Sequence, residues 1–544
     1  MQLSSVIPHG LKPNGRLHRK AARRHFGNRQ IAQILSLSVV AVVMIPVAFL
    51  FVGTVGAGQE GVEYLLRART FLIIGNSIAL MLATTLFATL IGLPFAWLTS
   101  RSDLPARRLL LVLGLAAMVM PSYLTAVTYT EAFGPKGILQ SLLEPLGVDR
   151  LPGIKGFAGA TLTITFVTFP YIVLPVRAAL LHTDRSLEEA GHSLGLNRWQ
   201  VFRQVTLPQL RPALSAGILM TALYTLSDFG AVAVMHFNAF TRAIFIQTES
   251  FRLDKASMLG LVLIAMTLVL LFLQSRLQHN GRHYRIGIGA SRELARVALG
   301  RWRYPALFFC GAVIFVGVAI PLLVLFKWLV GHTITNPIQV PLSELVSNTV
   351  SVSGVSAVVA AAAAFPLALL AIREASRFDR WLVKLAYVGN VLPGIVIALA
   401  LVFYATQHML SLYQTLPLLI LGYAIRYLPF SIGATESAFA QINPRFEEAA
   451  RSLGLTSRAA LLRITVPLAR GGILAGLALV FLNVMKELPT TLILRPIGFR
   501  TFATRIWSAY DEAFLSSIAL PGLVLIVVSA FALAIILRRE TATR

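Results

Sequence analysis

The chain has 544 residues, 56% of them hydrophobic and only 13% charged, and a net charge of +25. An ordinary globular domain carries about 25% charged residues, so the composition is that of a membrane protein rather than a soluble enzyme. Cys310 is the only cysteine and lies in an apolar run. A disulfide within the chain and a cysteine-held metal are therefore excluded, and Cys310 reads as a small buried hydrophobe.

In chain order, residues 1–30 come first as a polar tail. In it Lys12, Arg16, Arg19, Lys20, Arg23, Arg24 and Arg29 meet no acid. The apolar run that follows is too long for a signal-peptide core and predicts a retained transmembrane helix. Twelve runs of about 20 residues are long enough to cross a bilayer core. They cover 31–55, 71–99, 108–130, 157–182, 213–235, 256–274, 305–329, 348–372, 382–405, 416–440, 470–493 and 514–537. Arg101, Arg107 and Arg108 follow the second run, and Arg373, Arg377, Arg380 and Lys384 follow the eighth. The central segment holds Arg276, Arg282, Arg285, Arg292, Arg296, Arg301 and Arg303 against Glu293. If the runs alternate in direction, all these basic segments fall on one side. The positive-inside rule then places both termini in the cytoplasm. Topology and anionic lipid head groups account for the charge, and no nucleic acid is needed.

The chain repeats itself. Residues 188–217 read EEAGHSLGLNRWQVFRQVTLPQLRPALSAG and residues 447–476 read EEAARSLGLTSRAALLRITVPLARGGILAG, identical at 12 of 30 positions at an offset of 259. Asn76, Pro94, Arg101 and Pro121 match Asn348, Pro366, Arg373 and Pro393 at an offset of 272, while Pro170 matches Pro429 at 259. The first half thus carries 13 extra residues (272 − 259), assigned to the Gly- and Pro-rich stretch around 131–156. The expected organisation is a basic tail (1–30), a first repeat (31–275), a cytoplasmic linker (276–303) and a second repeat (304–540). Each repeat holds six runs, an even number, so the halves insert in parallel. The fold expected is an all-α polytopic membrane protein with about twelve transmembrane helices in two parallel six-helix repeats. Within the linker, SRELARVALGRW suits an amphipathic surface helix and equally a solvated basic linker.

Each repeated segment predicts a helix, a reversal and a second short helix. Glu188 and Glu189 favour the first helical turn, where acids suit the macrodipole. Gly195 permits a left-handed cap, and Pro208 and Pro212 open the next span. Glu447, Glu448, Gly454 and Pro467 repeat the plan. The pattern resembles the EAA loop of the permease subunits of bacterial ABC importers. Here it reads Glu189-Ala190-Gly191, Gly195 and Val205-Thr206-Leu207-Pro208, then Glu448-Ala449-Ala450, Gly454 and Ile464-Thr465-Val466-Pro467. Gly191 in place of the second alanine is the one departure in the triplet. The resemblance implies a type I importer permease fold in the bacterial inner membrane. It also implies loops that dock into a cytoplasmic ATPase, two copies in all, and a periplasmic binding protein that delivers substrate. The sequence has no G-x-x-x-x-G-K-[ST] phosphate loop. The resemblance therefore leaves ATP and magnesium to the partner ATPase, and no cofactor is expected on this chain.

The resemblance extends over about 31–540 to the fused, two-domain permeases of ferric-iron importers. Lys486-Glu487-Leu488-Pro489, Arg495-Pro496 with Gly498-Phe499, and Asp228-Phe229-Gly230 carry it. Thiamine permeases are also fused pairs with related sequences, and phosphonate and sulfate permeases share the loop. Asp228 and Glu487 are paired by the 259 offset and lie deep in the fifth run of each half. Carboxylates at that depth normally face a polar interior, and hard cations prefer oxygen ligands. The two acids are candidates for the translocation path, with structural ion pairs, Lys486 beside Glu487, as the other reading. Tyr123 and Tyr129 read as interfacial anchors, with Glu131 near them. His182, His192, His236 and His332 have no spacing that suggests a metal site. An ion-gradient-driven secondary transporter also uses parallel repeats, and a scaffolding membrane protein is a third class. Neither needs a duplicated docking loop.

Overall fold

The computed structural model describes residues 15–56, 58–182, 185–278, 297–335, 341–372 and 376–542. These are helical with no named strand; one isolated bridge joins Ser102 to Val297. The tail to residue 14, most of the linker (279–296) and Arg373 lie outside the described residues.

Each of the twelve apolar runs meets helix. Among the described residues, eight helices are long and apolar enough to cross a membrane, from Arg29–Gly56 to Ser457–Met485. The third run is a bent pair, Arg107–Val119 and Ser122–Leu146, turning through 102°. The fifth is the helix Leu207–Ser227. Gly394–His408 and Leu515–Phe531 are shorter apolar helices in the ninth and twelfth runs.

Four runs are thus broken where continuous spans were expected, and proline chemistry explains two of the breaks. Proline restricts the residue before it to extended backbone and has no N–H to continue a helix. Met120 (ψ 127°) and Pro121 (ψ 142°) are both extended, as are Leu392 (ψ 121°) and Pro393 (ψ 145°). The chain turns sharply at the same place in each half. The other two breaks interrupt the fifth runs. One follows Ser227 and the other Met485, and each is succeeded by a short helix, Gly230–Val234 or Pro489–Leu494.

The duplication extends to individual hydrogen bonds. Asn76 Nδ2 donates to the Asn238 carbonyl and Asn348 Nδ2 to that of Arg500, both at 3.1 Å. The Phe240 N–H meets Ser77 Oγ and the Phe502 N–H meets Thr349 Oγ1, again both at 3.1 Å. The extra length of the first half sits beyond Phe133. It forms a short helix, Ile138–Leu143, a 3-10 turn and irregular chain to Gly156.

The halves interlock. The first helix, Gly15–Gly56, packs on three helices of the second half, Leu342–Ile372, Arg377–Ala386 and Gly394–His408. Arg29 and Gln33 donate to Asp379 at 2.7 and 2.6 Å. In return, Ile320–Thr335 packs on Ser122–Phe133, and Arg303–Ile314 on Arg107–Leu115. The chain leading into them is zipped to the first half: the Val297 N–H donates to the Arg101 carbonyl at 2.8 Å and the Leu299 N–H to Asp103 at 3.0 Å. One large apolar core runs through both halves as a result.

Candidate functional site

Two constructions stand out: the paired loops at one end of the helices, and a cavity between the halves.

In the first loop the helix Arg185–Ser193 ends on Gly195, whose φ of 82° is left-handed. The Gly195 N–H donates to the His192 carbonyl and the Leu196 N–H to that of Gly191, at 3.0 and 3.1 Å. This is a Schellman cap. Gly454 (φ 94°) repeats it, with bonds from Gly454 to Arg451 and from Leu455 to Ala450 at the same lengths. Asn197 and Gln200 then cap the second helix reciprocally at 2.8 Å, and in the second copy Thr456 Oγ1 accepts the Ala459 N–H at 3.2 Å. Both copies pass through a π-turn, Phe202–Thr206 and Leu461–Thr465, before Pro208 and Pro467. A missing proline N–H and its bulky ring favour that wider turn.

The acids of each loop divide by role. Glu188 accepts from Thr206 Oγ1 at 3.0 Å and is ion-paired to Arg101 at the end of the second span. Glu447 accepts from Thr465 Oγ1 at 2.5 Å. These first acids tie each loop to the root of the following helix. Glu189 and Glu448 are exposed, as are Ala190 and Ala449. Leu194 and Leu453, paired by the 259 offset, are 82% and 87% exposed, two large apolar side chains at matching loop tips. Gly191 is a size exchange: a Cβ there would sit 3.2 Å from Val201 Cγ2, whereas the second copy pairs Ala450 with the smaller Ala460.

The cavity has a volume of about 340 Å³ and is lined from both halves at the two breaks in the fifth runs. It brings Asp228 and Glu487 together, both buried. Each caps the short helix that follows it. Asp228 Oδ2 accepts the Ala231 N–H at 2.8 Å, and Glu487 Oε1 accepts the Thr490 N–H at 3.3 Å. The carbonyl at each break is also held by a threonine, Thr241 of the helix Phe240–Glu249 on Asp228 at 2.6 Å and Thr491 of the short helix itself on Glu487 at 2.5 Å.

The surroundings of the two acids then diverge. Asp228 Oδ1 accepts from Ser122. Glu487 accepts from Tyr427 at 2.5 Å and Thr490 Oγ1 at 2.7 Å, and Arg426 lies 3.2 Å away as an ion pair. The position matching Ser122 is Gly394, where any Cβ would collide with the Arg426 guanidinium. Of the structural ion pairs offered as the other reading, Glu487 makes one with Arg426, while Lys486 donates to the Met118 carbonyl at 3.0 Å. Phe229, on the cavity lining, packs its ring at a tilt against Phe245 and Trp507, centroids 4.8 and 5.3 Å apart. Beyond them Tyr510 donates to the Val234 carbonyl at 2.9 Å.

Other candidates resolve differently. Tyr123 and Tyr129 are buried rather than anchored at an interface, because the bend at Pro121 turns their helix inward. Tyr123 lines the cavity, and Tyr129 donates to the Val316 carbonyl at 2.8 Å. Glu131 pairs with Lys327 at 2.6 Å across the halves. His192 contacts the Leu196 carbonyl and His236 lies beside Tyr510; the side chains of His182 and His332 lie outside the described set. Among the described residues no three His, Cys, Asp or Glu side chains are placed to hold a metal. Sequence reasoning missed Arg426, the Ser122–Gly394 exchange and the exposed leucines. Only the leucines carried a signal, since both stand one residue before the repeated glycine.

Comparison with known proteins gives a consistent result. The family model described as "Binding-protein-dependent transport system inner membrane component" matches twice, over 88–280 and 362–540. The chain is 29% identical to the Fe(3+)-transport system permease protein FbpB 2 of Haemophilus influenzae, covering 84% of this chain and 87% of that one. It is 26% identical to the probable ABC transporter permease protein y4fN of Sinorhizobium fredii, covering 86% of each. It is also 30% identical to the sulfate transport system permease protein CysT of Escherichia coli, over 36% of this chain and 71% of that one.

Proposed function

On the premise that the chain belongs to the binding-protein-dependent transport system inner membrane components, with the family domain present twice, we propose that it moves ferric iron across the bacterial inner membrane. It is a fused two-domain ABC permease and a multi-pass inner membrane protein. In our reading a periplasmic binding protein supplies the iron, and two cytoplasmic ATPase subunits engage the two loops and consume ATP with magnesium. The observation that carries this reading is the pair of matched loops. Each has the same cap, the same π-turn, one acid turned inward and one leucine turned out.

The loops continue without interruption into Leu207–Ser227 and Val466–Met485, whose far ends form the cavity breaks. Closure of the ATPase pair draws the loops together, and the two helices carry that motion to the cavity. The halves rock between states, a shift set by differential binding to each. Arg29, Arg101, Arg107 and both loops gather at one end, which supports a cytoplasmic placement of that end and of the termini.

The ferric reading is supported by relatives named for Fe(3+) along 84% of the chain, against 36% for the sulfate relative. Asp228, a buried carboxylate at the cavity with no described basic side chain within ion-pair distance, is suited to a hard cation. Purifying the chain with its ATPase tests the reading. Glu189→Lys with Glu448→Lys, and separately Leu194→Asp with Leu453→Asp, are expected to abolish co-purification of the ATPase at unchanged permease yield. ATPase binding that survives both pairs of changes would refute the docking role.

A further inference from the structure

We propose that the outward face of the helix Arg377–Ala386 binds the phosphate head groups of anionic phospholipids at the bilayer surface, whichever cargo the chain carries. Ser376 Oγ opens the helix by accepting the Asp379 N–H at 3.2 Å. Asp379, Leu382 and Ala386 form its buried side, which packs on Gly15–Gly56 and Leu342–Ile372. Arg377, Arg380, Trp381 and Lys384 are spaced i, i+3, i+4 and i+7, so they share the opposite face, and all four are exposed. Lys384 Nζ lies 5.9 Å from the centre of the Trp381 ring. The buried acid is taken up by Arg29 and Gln33. Among the described residues no carboxylate pairs with Arg377, Arg380 or Lys384. The face therefore presents uncompensated positive charge around an open indole.

The contact with Arg29 and Gln33 fixes the depth of this helix. Just beyond Arg29 the exposed surface of the first helix turns apolar, at Ile31, Ile34 and Leu35. A change from basic to apolar surface along a spanning helix marks the head-group boundary. The helix Arg377–Ala386 starts level with that boundary. Lys384 follows Asp379 by five residues, so it lies at most about 7.5 Å further in. A lysine stem reaches back over that distance to the head groups, and tryptophan belongs at the same level.

The first half shows which way this face looks. At the 272 offset Arg377, Arg380, Trp381 and Lys384 match Pro105, Arg108, Leu109 and Val112. Leu109 and Val112 are each 57% exposed. Large aliphatic side chains left open on a membrane protein face the bilayer. The same place in the second half faces it too, with cations where the first half has aliphatics. Guanidinium and ammonium groups at head-group depth take phosphate oxygens. The lipid binds where the leading helix of the first half is fastened to the second. The same segment leads through Val388–Val391 to the break at Pro393, beside the cavity-lining Leu392.

The test is native mass spectrometry of the purified full-length chain, titrated in detergent with phosphatidylglycerol or phosphatidylcholine. Phosphatidylglycerol is expected to bind at least tenfold more tightly. Arg377→Gln, Arg380→Gln and Lys384→Gln should each weaken it about fivefold, the contribution of one basic residue near an anionic surface, and the triple change about a hundredfold. Reading the single changes keeps the result independent of whether the triple variant folds. Arg377→Lys with Arg380→Lys keeps the charge and should bind within threefold of the parent. Arg301→Gln with Arg303→Gln, which removes exposed cations at the start of Arg303–Ile314, should leave binding within twofold. Equal loss in that control would mean general attraction to charge and overturn the site. Displacement of the lipid by an equal concentration of inorganic phosphate would overturn the lipid in favour of a free anion. A triple variant that binds phosphatidylglycerol like the parent would overturn it outright, and loss of ATPase co-purification in that variant would assign the face to the ATPase instead.

Discussion

Asp228 and Glu487 occupy the same break in the two halves, cap the same kind of short helix and line the same cavity, yet they are held by different means. A serine hydroxyl and a backbone N–H serve Asp228; an arginine, a tyrosine and a threonine serve Glu487. Gly394 admits the arginine, while Ser122 fills the matching space in the first half. Duplication has kept the breakpoint acid while the charge beside it has changed. Glu487 is thus held in a buried ion pair, while Asp228 is held by neutral donors alone.

The largest expected effect follows from removing the compensated acid. Glu487→Gln leaves the Arg426 guanidinium buried without its carboxylate, which costs about 3–5 kcal/mol for a broken buried pair. Folded yield in detergent and the temperature of aggregation should fall sharply, and Glu487→Leu combined with Arg426→Leu should recover much of the loss. A Glu487→Gln protein as heat-resistant as the parent would remove the structural half of the comparison. Asp228→Asn is next. An amide oxygen still caps Gly230–Val234, so stability should change by no more than about 1 kcal/mol. Iron uptake should nonetheless drop at least tenfold, and equal losses of folding in the two variants would erase the contrast.

The loops sharpen the comparison from the other side, because there the halves agree. Gly195→Ala and Gly454→Ala each force a side chain into left-handed backbone, at about 1–2 kcal/mol apiece. Limited proteolysis should show both loops loosened to a similar degree; a change confined to one would mean that the two caps are not equivalent. The smallest effect belongs to Gly191→Ala, which crowds Val201 and should cost about 1 kcal/mol. Adding Val201→Ala reproduces the pairing of the second copy, and protease resistance should return.

Much of this was legible in the sequence because it is local or periodic. The apolar runs gave the helices, and the repeat gave the loops, their glycines and the matched acids. The breaks at Pro121 and Pro393 were not legible. Pro94, Pro170, Pro366 and Pro429 remain inside helices, so proline alone does not mark a bend. Long-range partners were also hidden: Arg101 reaches Glu188 across 87 residues, and Tyr427 reaches Glu487 across 60. The interlocking of the first helices with the opposite halves left no signal in composition. Tyr123 and Tyr129 were read as anchors because span position suggests an interface, and only the bend turns them inward.

The account separates an attachment site at the loops from a cargo site in the cavity, and one experiment reads both. Proteoliposomes holding the chain, its ATPase and the binding protein would be assayed together for ATP hydrolysis and for ATP-dependent radioiron uptake. Asp228→Asn should hydrolyse ATP at a rate close to that of the parent while accumulating at most a tenth of the iron. Leu194→Asp with Leu453→Asp should lose hydrolysis stimulation and uptake together. Loop variants that keep both activities, or an Asp228→Asn protein that transports iron normally, would contradict it.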